Sequence, residues 1–208
     1  MPFRIPRVYP LTDVVISGLS HAEQVKRLAA GGATIIQLRE KTMAGCDFYN
    51  EAQAAVEIAR KAGIRLIIND RVDIALAVGA DGVHLGQDDL PVKSARALLG
   101  PNAIIGLSTH NLQQAEKARN LPVSYIAVGP IFSTRTKSNP DPELGLDRLR
   151  QISKVMKSIP LVAIGGITPQ NATDVIAAGA DSVAQISFLL SDPAAITSRI
   201  ENLLRQLT

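Results

Sequence analysis

The chain has 208 residues, 46% of them apolar, and a formal net charge of +3, which is material for one sizeable core with no Pro/Gly/Ser-rich linker to divide it. Lys and Arg are interspersed with Asp and Glu, aromatics are 3% and Trp is absent, so the chain lacks both a basic track and base-stacking platforms, and nucleic acid is excluded as an expected partner. Cys46 stands alone, which excludes an internal disulfide or a cysteine zinc cluster and points to a reducing compartment.

Arg4 and Arg7 are followed by no apolar signal region, and no apolar stretch is long enough to span a bilayer. A cytoplasmic, soluble protein with no membrane partner is expected.

A first short apolar strand is predicted over 7–11. Ser20 with Glu23 forms a capping box for the helix that follows, which closes at Ala30-Gly31-Gly32-Ala33 before a strand over 34–38. Asp47 marks the next helix start and Ala62-Gly63 its end, leading to a strand over 65–68. A helix over 71–78 closes at Val78-Gly79-Ala80-Asp81 before a strand over 82–85. Pro91 at a first turn, then Asn111, start the helices on either side of a strand over 104–107. Strands over 125–128 and 161–164 flank a helix over 146–158. Asn171 starts a helix closed by Ala178-Gly179-Ala180-Asp181 before a strand over 182–186, and Asp192-Pro193 opens the last helix. Eight strands alternating with eight helices predict a single (β/α)8 barrel over 1–208 in preference to an open doubly wound sheet.

In such a barrel the chemistry lies just past the C-terminal end of each strand. Those positions are polar here. Strand two runs into Gln37-Leu38-Arg39-Glu40-Lys41, where alternation puts Gln37, Arg39 and possibly Lys41 on the face of Ile35, with Ile36 and Leu38 on the other. Asn69-Asp70 follows strand three and Gly86-Gln87-Asp88-Asp89 follows strand four. Neighbouring strands are about 4.8 Å apart, so Asp70 and Asp89 are placed to share a magnesium ion, which takes one or two carboxylates together with water and substrate phosphate. The competing role for either aspartate is to cap the helix after it.

Gly106-Leu107-Ser108-Thr109-His110 offers hydroxyls after strand five. Gly129-Pro130-Ile131-Phe132-Ser133-Thr134-Arg135-Thr136-Lys137 after strand six combines hydroxyls with cations in a phosphate-gripping loop. Gly165-Gly166 after strand seven and Ile186-Ser187 after strand eight fit the second phosphate pocket of these barrels. His84 reads as a hydrogen-bonded core residue, His21 sits at a helix start, and His110 could approach the site. They form no nucleophilic triad. Two anion sites, one with a divalent cation, imply two phosphorylated substrates or a pyrophosphate and a phosphate.

These motifs together resemble the thiamine-phosphate synthase family over nearly the whole chain, from Tyr9 to about Asp192. The specific matches are Gln37-Leu38-Arg39-Glu40-Lys41, Asn69-Asp70-Arg71, His84-Leu85-Gly86-Gln87-Asp88-Asp89, Gly106-Leu107-Ser108, the run from Gly129 to Lys137, and Ile164-Gly165-Gly166-Ile167. The resemblance implies a (β/α)8 transferase that joins hydroxymethylpyrimidine diphosphate to a thiazole phosphate or its carboxylate, releasing pyrophosphate through a pyrimidine-stabilised carbocation. It implies Mg2+ on Asp70 and Asp89, the pyrimidine diphosphate on Gln37, Leu38, Arg39, Glu40, Lys41, Asn69, Ser108 and Lys137, and the thiazole phosphate on Thr134, Arg135, Thr136, Gly166, Ile186 and Ser187. Arg39, Lys41, Ser108 and Lys137 are then the catalytic groups.

Ser133, where the family usually has proline, and Gln185, where it often has a small apolar residue, depart from its pattern. Two rivals compete: a thiazole tautomerase-like isomerase, which resembles the synthase but lacks the carboxylate pair and has histidine at the place of Pro130, and a non-catalytic phosphate-binding barrel. Asp70, Asp89, Pro130 and Lys137 favour the transferase. The oligomeric state stays open.

Overall fold

The computed structural model describes residues 3–134 and 141–208. Its strands are β1 (Val8–Thr12), β2 (Ile35–Leu38), β3 (Arg65–Asn69), β4 (Gly82–Leu85), β5 (Ile104–Thr109), β6 (Tyr125–Val128), β7 (Leu161–Ala163) and β8 (Ser182–Gln185). They pair in parallel and in chain order, β8 returning to β1, so the barrel is closed. The helices are α1 (Val14–Ser17), α2 (His21–Ala30), α3 (Gly45–Ala62), α4 (Val72–Val78), α5 (Val92–Leu99), α6 (Leu112–Ala118), α7 (Gly145–Val155), α8 (Pro169–Ala177), α9 (Ser187–Leu190) and α10 (Ile196–Leu207).

Alternation along the strands sorts the apolar residues into two cores. Tyr9, Leu11, Ile35, Ile67, Ile104, Tyr125, Ala127, Val162 and Ala184 fill the barrel interior. Ile36, Leu38, Leu66, Ile68, Val83, Leu85, Ile105 and Val183 point outward into the larger core beneath the helices. The expected split of Ile35 from Ile36 and Leu38 is what the structure has.

The two Gly-Ala-Asp runs pin the lower ends of the strands. Asp81 Oδ2 accepts the Leu66 N–H and Asp181 Oδ2 accepts the Leu161 N–H, each at 2.8 Å, tying the start of one strand to the residue that enters the next. Both aspartates serve stability at the end of the barrel away from the chemistry.

Helix starts depart from expectation at several places: Pro91 is the N-cap of α5 and lies outside its first turn, and Asp192-Pro193 opens a 3-10 turn ahead of α10, whose N-cap is Ala195. Asp47 lies within the first turn of α3, whose N-cap is Ala44 without a side-chain cap. Asn171 is the third residue of α8, where it and Thr168 form the capping box with Pro169 as first residue. The one-turn helices α1 and α9, too short to show a helical period, add to the expected alternation. Among the described residues no helix is long and apolar enough to cross a membrane.

Candidate active site

Gln37 enters the interior from β2, where it is 2% exposed and its Nε2 donates to Tyr9 Oη at 3.1 Å. Two residues on, Arg39 Nη1 donates to Asp13 Oδ2 at 2.6 Å. Asp13 Oδ1 meanwhile accepts the N–H groups of Val15 and Ile16, each at 3.1 Å, and so caps α1. Asp13 therefore fixes Arg39 at the rim; sequence reasoning missed it, although it lies one residue past β1.

The alternate residues of this segment do other work. Leu38 is fully buried in the outer core, leaving its backbone alone to face the mouth. Glu40 Oε1 accepts the N–H groups of Lys41, Thr42 and Met43 at 2.6 to 3.0 Å and the Thr42 hydroxyl at 3.0 Å, folding the loop around itself. Its Oε2 is 3.3 Å from His21 Nε2. Burial would raise the Glu40 carboxyl, but the hydrogen bonds from Thr42, Met43 and His21 outweigh it and hold the pKa at about 2. Glu40 shapes the loop, and its charge is directed into the loop.

Lys41 Nζ donates to Asp70 Oδ2. Asp70 has φ +62, a left-handed backbone that a non-glycine residue adopts at a cost of about 1 kcal/mol or more. The Asp70 N–H is bonded to the His84 carbonyl at 2.8 Å, which holds it in that conformation. Burial raises the Asp70 pKa, Lys41 opposes it, and Asp89, near enough to act by both charge and a hydrogen bond, raises it further. Asp89 Oδ2 in turn accepts the Gly86 N–H at 2.6 Å.

Neither aspartate caps the next helix. The N-cap of α4 is Arg71 and that of α5 is Pro91, both without a side-chain cap bond. Among the described residues no group of three or more His, Cys, Asp or Glu could hold a metal. A cation on the Asp70–Asp89 pair would take its remaining ligands from water and substrate, the habit of magnesium.

Across the mouth, Ser108 Oγ lies 2.9 Å from His84 Nε2. Buried and hydrogen-bonded as expected, His84 is depressed by burial to a pKa of about 4. Asn69 is 7% exposed, and its Nδ2, like Gln37 Oε1, is a buried polar atom without a partner. Such atoms on the interior rim are suited to a polar ligand.

The loop after β6 is laid onto the end of β7. The Ile131 N–H donates to the Ile164 carbonyl at 2.9 Å and the Phe132 N–H to the Gly165 carbonyl at 3.0 Å. Gly166 has φ +61, and a Cβ there would stand 2.4 Å from the Ser133 carbonyl oxygen and 2.7 Å from Phe132 Cβ. Only glycine admits that contact, which brings the residues before Thr134 against the Gly165-Gly166 turn. Ile164 and Ile186 close the interior core from above, with Ser187 opening α9 beside them. Gln185 is buried and its Nε2 donates to the Ile167 carbonyl at 3.2 Å, so this departure ties β8 to the same turn. Arg135, Thr136 and Lys137 lie outside the described residues. His110 Nδ1 is 2.8 Å from the Gly129 carbonyl and 3.3 Å from Asp141 Oδ2, at the base of this loop.

A family model described as thiamine monophosphate synthase matches residues 8–189. The chain belongs to that family. It is 48% identical over 186 residues to a thiamine-phosphate synthase of Chloroflexus aurantiacus, covering 89% of this chain and 85% of the other. It is 46% identical over 197 residues to one of Koribacter versatilis, covering 91% and 92%. The solved thiamine phosphate pyrophosphorylase from Pyrococcus furiosus superposes with a TM-score of 0.86 at 34% identity, covering 97% of this chain and 95% of that one. Members of this family are transferases of thiamine biosynthesis acting on small molecules, and so is this chain.

Proposed function

We propose that the barrel mouth binds hydroxymethylpyrimidine diphosphate between the tops of β2, β3, β4 and β5, and a thiazole phosphate or its carboxylate at the tops of β6, β7 and β8. Gln37 and Asn69 offer the pyrimidine an acceptor and a donor at their unpartnered atoms. Arg39, Lys41, Ser108 and Lys137 supply cations and a hydroxyl for the diphosphate. Thr134, Arg135, Thr136, Gly166, Ile186 and Ser187 take the thiazole phosphate. Leu38 contributes backbone alone and Glu40 acts by folding the loop that carries Lys41.

The observation that carries this reading is the pairing of Asp70 with Asp89 beside Lys41 and away from either helix cap. A carboxylate pair in which Asp89 raises the cost of ionising Asp70, at the rim of a cation-rich mouth, fits Mg2+ bound together with a diphosphate. When bound there, the metal supplies positive charge to the leaving group.

The residues themselves orient and neutralise. The bond from the pyrimidine methylene carbon to the diphosphate oxygen breaks, its electron pair leaving with pyrophosphate, and the thiazole nitrogen lone pair forms the new C–N bond. Arg39 is held by Asp13 where negative charge accumulates, so no reorganisation of its side chain is needed as the bond breaks. His84 has both ring nitrogens engaged, which suits a reaction needing no side-chain base or nucleophile.

One catalytic domain over 1–208 and a cytoplasmic location complete the proposal; the lone, exposed Cys46 accords with a reducing compartment. Incubating the pure protein with both phosphorylated heterocycles, with and without magnesium, and assaying pyrophosphate tests it. Magnesium-dependent release requiring both substrates supports the transferase. Isomerised thiazole without pyrophosphate, or binding without turnover, supports a rival.

A further inference from the structure

A buried polar line crosses the barrel interior. Gln37 Nε2 donates to Tyr9 Oη at 3.1 Å, while the Tyr9 and Tyr125 hydroxyls, Tyr125 Oη and His84 Nδ1, and His84 Nε2 and Ser108 Oγ are successive pairs each 2.9 Å apart. Five strands, β2, β1, β6, β4 and β5, contribute its five members. Gly106 leaves room for the middle link, since a Cβ there would lie 2.4 Å from both Tyr125 Oη and His84 Nδ1. Tyr9 and Tyr125 are 1% and 0% exposed, so their hydroxyls find their partners within the line.

Each interior hydroxyl donates once along such a line, and burial holds the imidazole neutral, so the line has two directions and every link reverses together. In one direction Gln37 donates to Tyr9, Tyr9 to Tyr125, Tyr125 to His84 Nδ1, and His84 Nε2–H to Ser108. The ends then present Gln37 Oε1 as an acceptor and the Ser108 hydroxyl hydrogen as a donor. In the other, Ser108 donates inward, Gln37 Oε1 is consumed, and the ends present an amide N–H and a lone pair. An exocyclic amine with a diphosphate anion matches the first direction at both ends and opposes the second at both.

We infer that Tyr9, Tyr125 and His84 are positioning residues that hold this line in the first direction, so that the site selects a pyrimidine bearing an amine over its oxo counterpart and couples that choice to donation from Ser108 to the anion. This role presupposes that the mouth takes the hydroxymethylpyrimidine diphosphate, as proposed above. Gln37 Oε1, buried and without a partner, is the acceptor this direction leaves open.

The test has two arms. Nitrogen-15 NMR of the free protein reads the tautomer of His84, identified among the three histidines by its loss in His84→Gln; Nε2–H is expected. Titration calorimetry with magnesium, but without the thiazole partner, then compares the 4-amino and 4-oxo pyrimidine diphosphates. Tyr125→Phe keeps the ring in the core but cuts the line, and is expected to lower the amino-to-oxo preference by about 10- to 100-fold and to mix the His84 tautomers. Tyr9→Phe, cutting the next link, should lower the same preference. An Nδ1–H tautomer in the parent, or an unchanged preference in both variants, overturns the relay even if the amine compound binds tightly. A parent that binds neither diphosphate removes the substrate reading and the selectivity with it.

Discussion

Arg39 and Asp13 are joined at 2.6 Å between Nη1 and Oδ2, and the same aspartate caps α1 through its other oxygen. One carboxylate thereby couples the placing of a rim cation to the stability of a single helical turn. Asp13→Ala should lose both, at a cost of about 1 kcal/mol for the cap and with weaker diphosphate binding. Asp13→Asn keeps an oxygen for the cap but drops the charge, so its melting temperature should stay near the parent's while activity falls. Thermal unfolding beside steady-state kinetics separates the two; equal activity in Asn and parent would deny Arg39 its anchor.

Asp70 is a second case of function set against stability. Its left-handed backbone and half-buried charge are both costs, and the metal-binding role proposed for its carboxylate gives a reason to keep them. Asp70→Gly relieves the backbone and should raise stability by up to about 1 kcal/mol while lowering activity. Chemical denaturation together with pyrophosphate assays would show this opposition, and loss of both together would mean the conformation is held for structural reasons.

Two buried histidines set an acid limit. Burial lowers the pKa of His21 and takes that of His84 to about 4, from an ordinary value of 6.5. Unfolding lets both take up protons near pH 6.5 that the folded chain resists, so their stabilising contribution is whole above that pH and is lost as pH falls toward the folded values. For His84 the loss between pH 6.5 and 4 is on the order of 3 kcal/mol. Stability measured across that window should fall in the parent and fall less in His84→Gln.

Lys137 belongs to the hydroxyl- and cation-rich run Gly129 to Lys137. Lys137→Ala should slow turnover by about 10²- to 10³-fold, the loss of one donor to developing negative charge. Single-turnover kinetics is the direct check, and near-normal rates would remove Lys137 from the chemistry.

The barrel was legible because β2, β4 and β6 are short apolar runs closed by turn signals, buried on both faces as a parallel barrel requires. The start of α3 was not, because the turn before it is organised by Glu40 rather than by a capping residue beside the helix. Asp70 and Asp89 were legible as a pair from their positions at adjacent strand ends, and the N-caps of α4 and α5, Arg71 and Pro91, leave neither of them the capping role. Asp13 was hidden because it reads locally as a helix cap while its partner Arg39 lies 26 residues on. The line through Tyr9, Tyr125 and His84 was hidden for a stronger reason: its links span up to 116 residues, and only barrel closure brings them together.

The most direct test is a magnesium titration of pyrophosphate release by the parent, Asp70→Ala and Asp89→Ala, with both substrates saturating. Removing either carboxylate deletes one hard oxygen ligand and should move the half-saturating magnesium concentration upward, with the parent showing no release when the metal is chelated. Curves for both variants that overlay the parent's, or release that persists in chelator, would contradict a metal-clamped diphosphate at the mouth of this barrel.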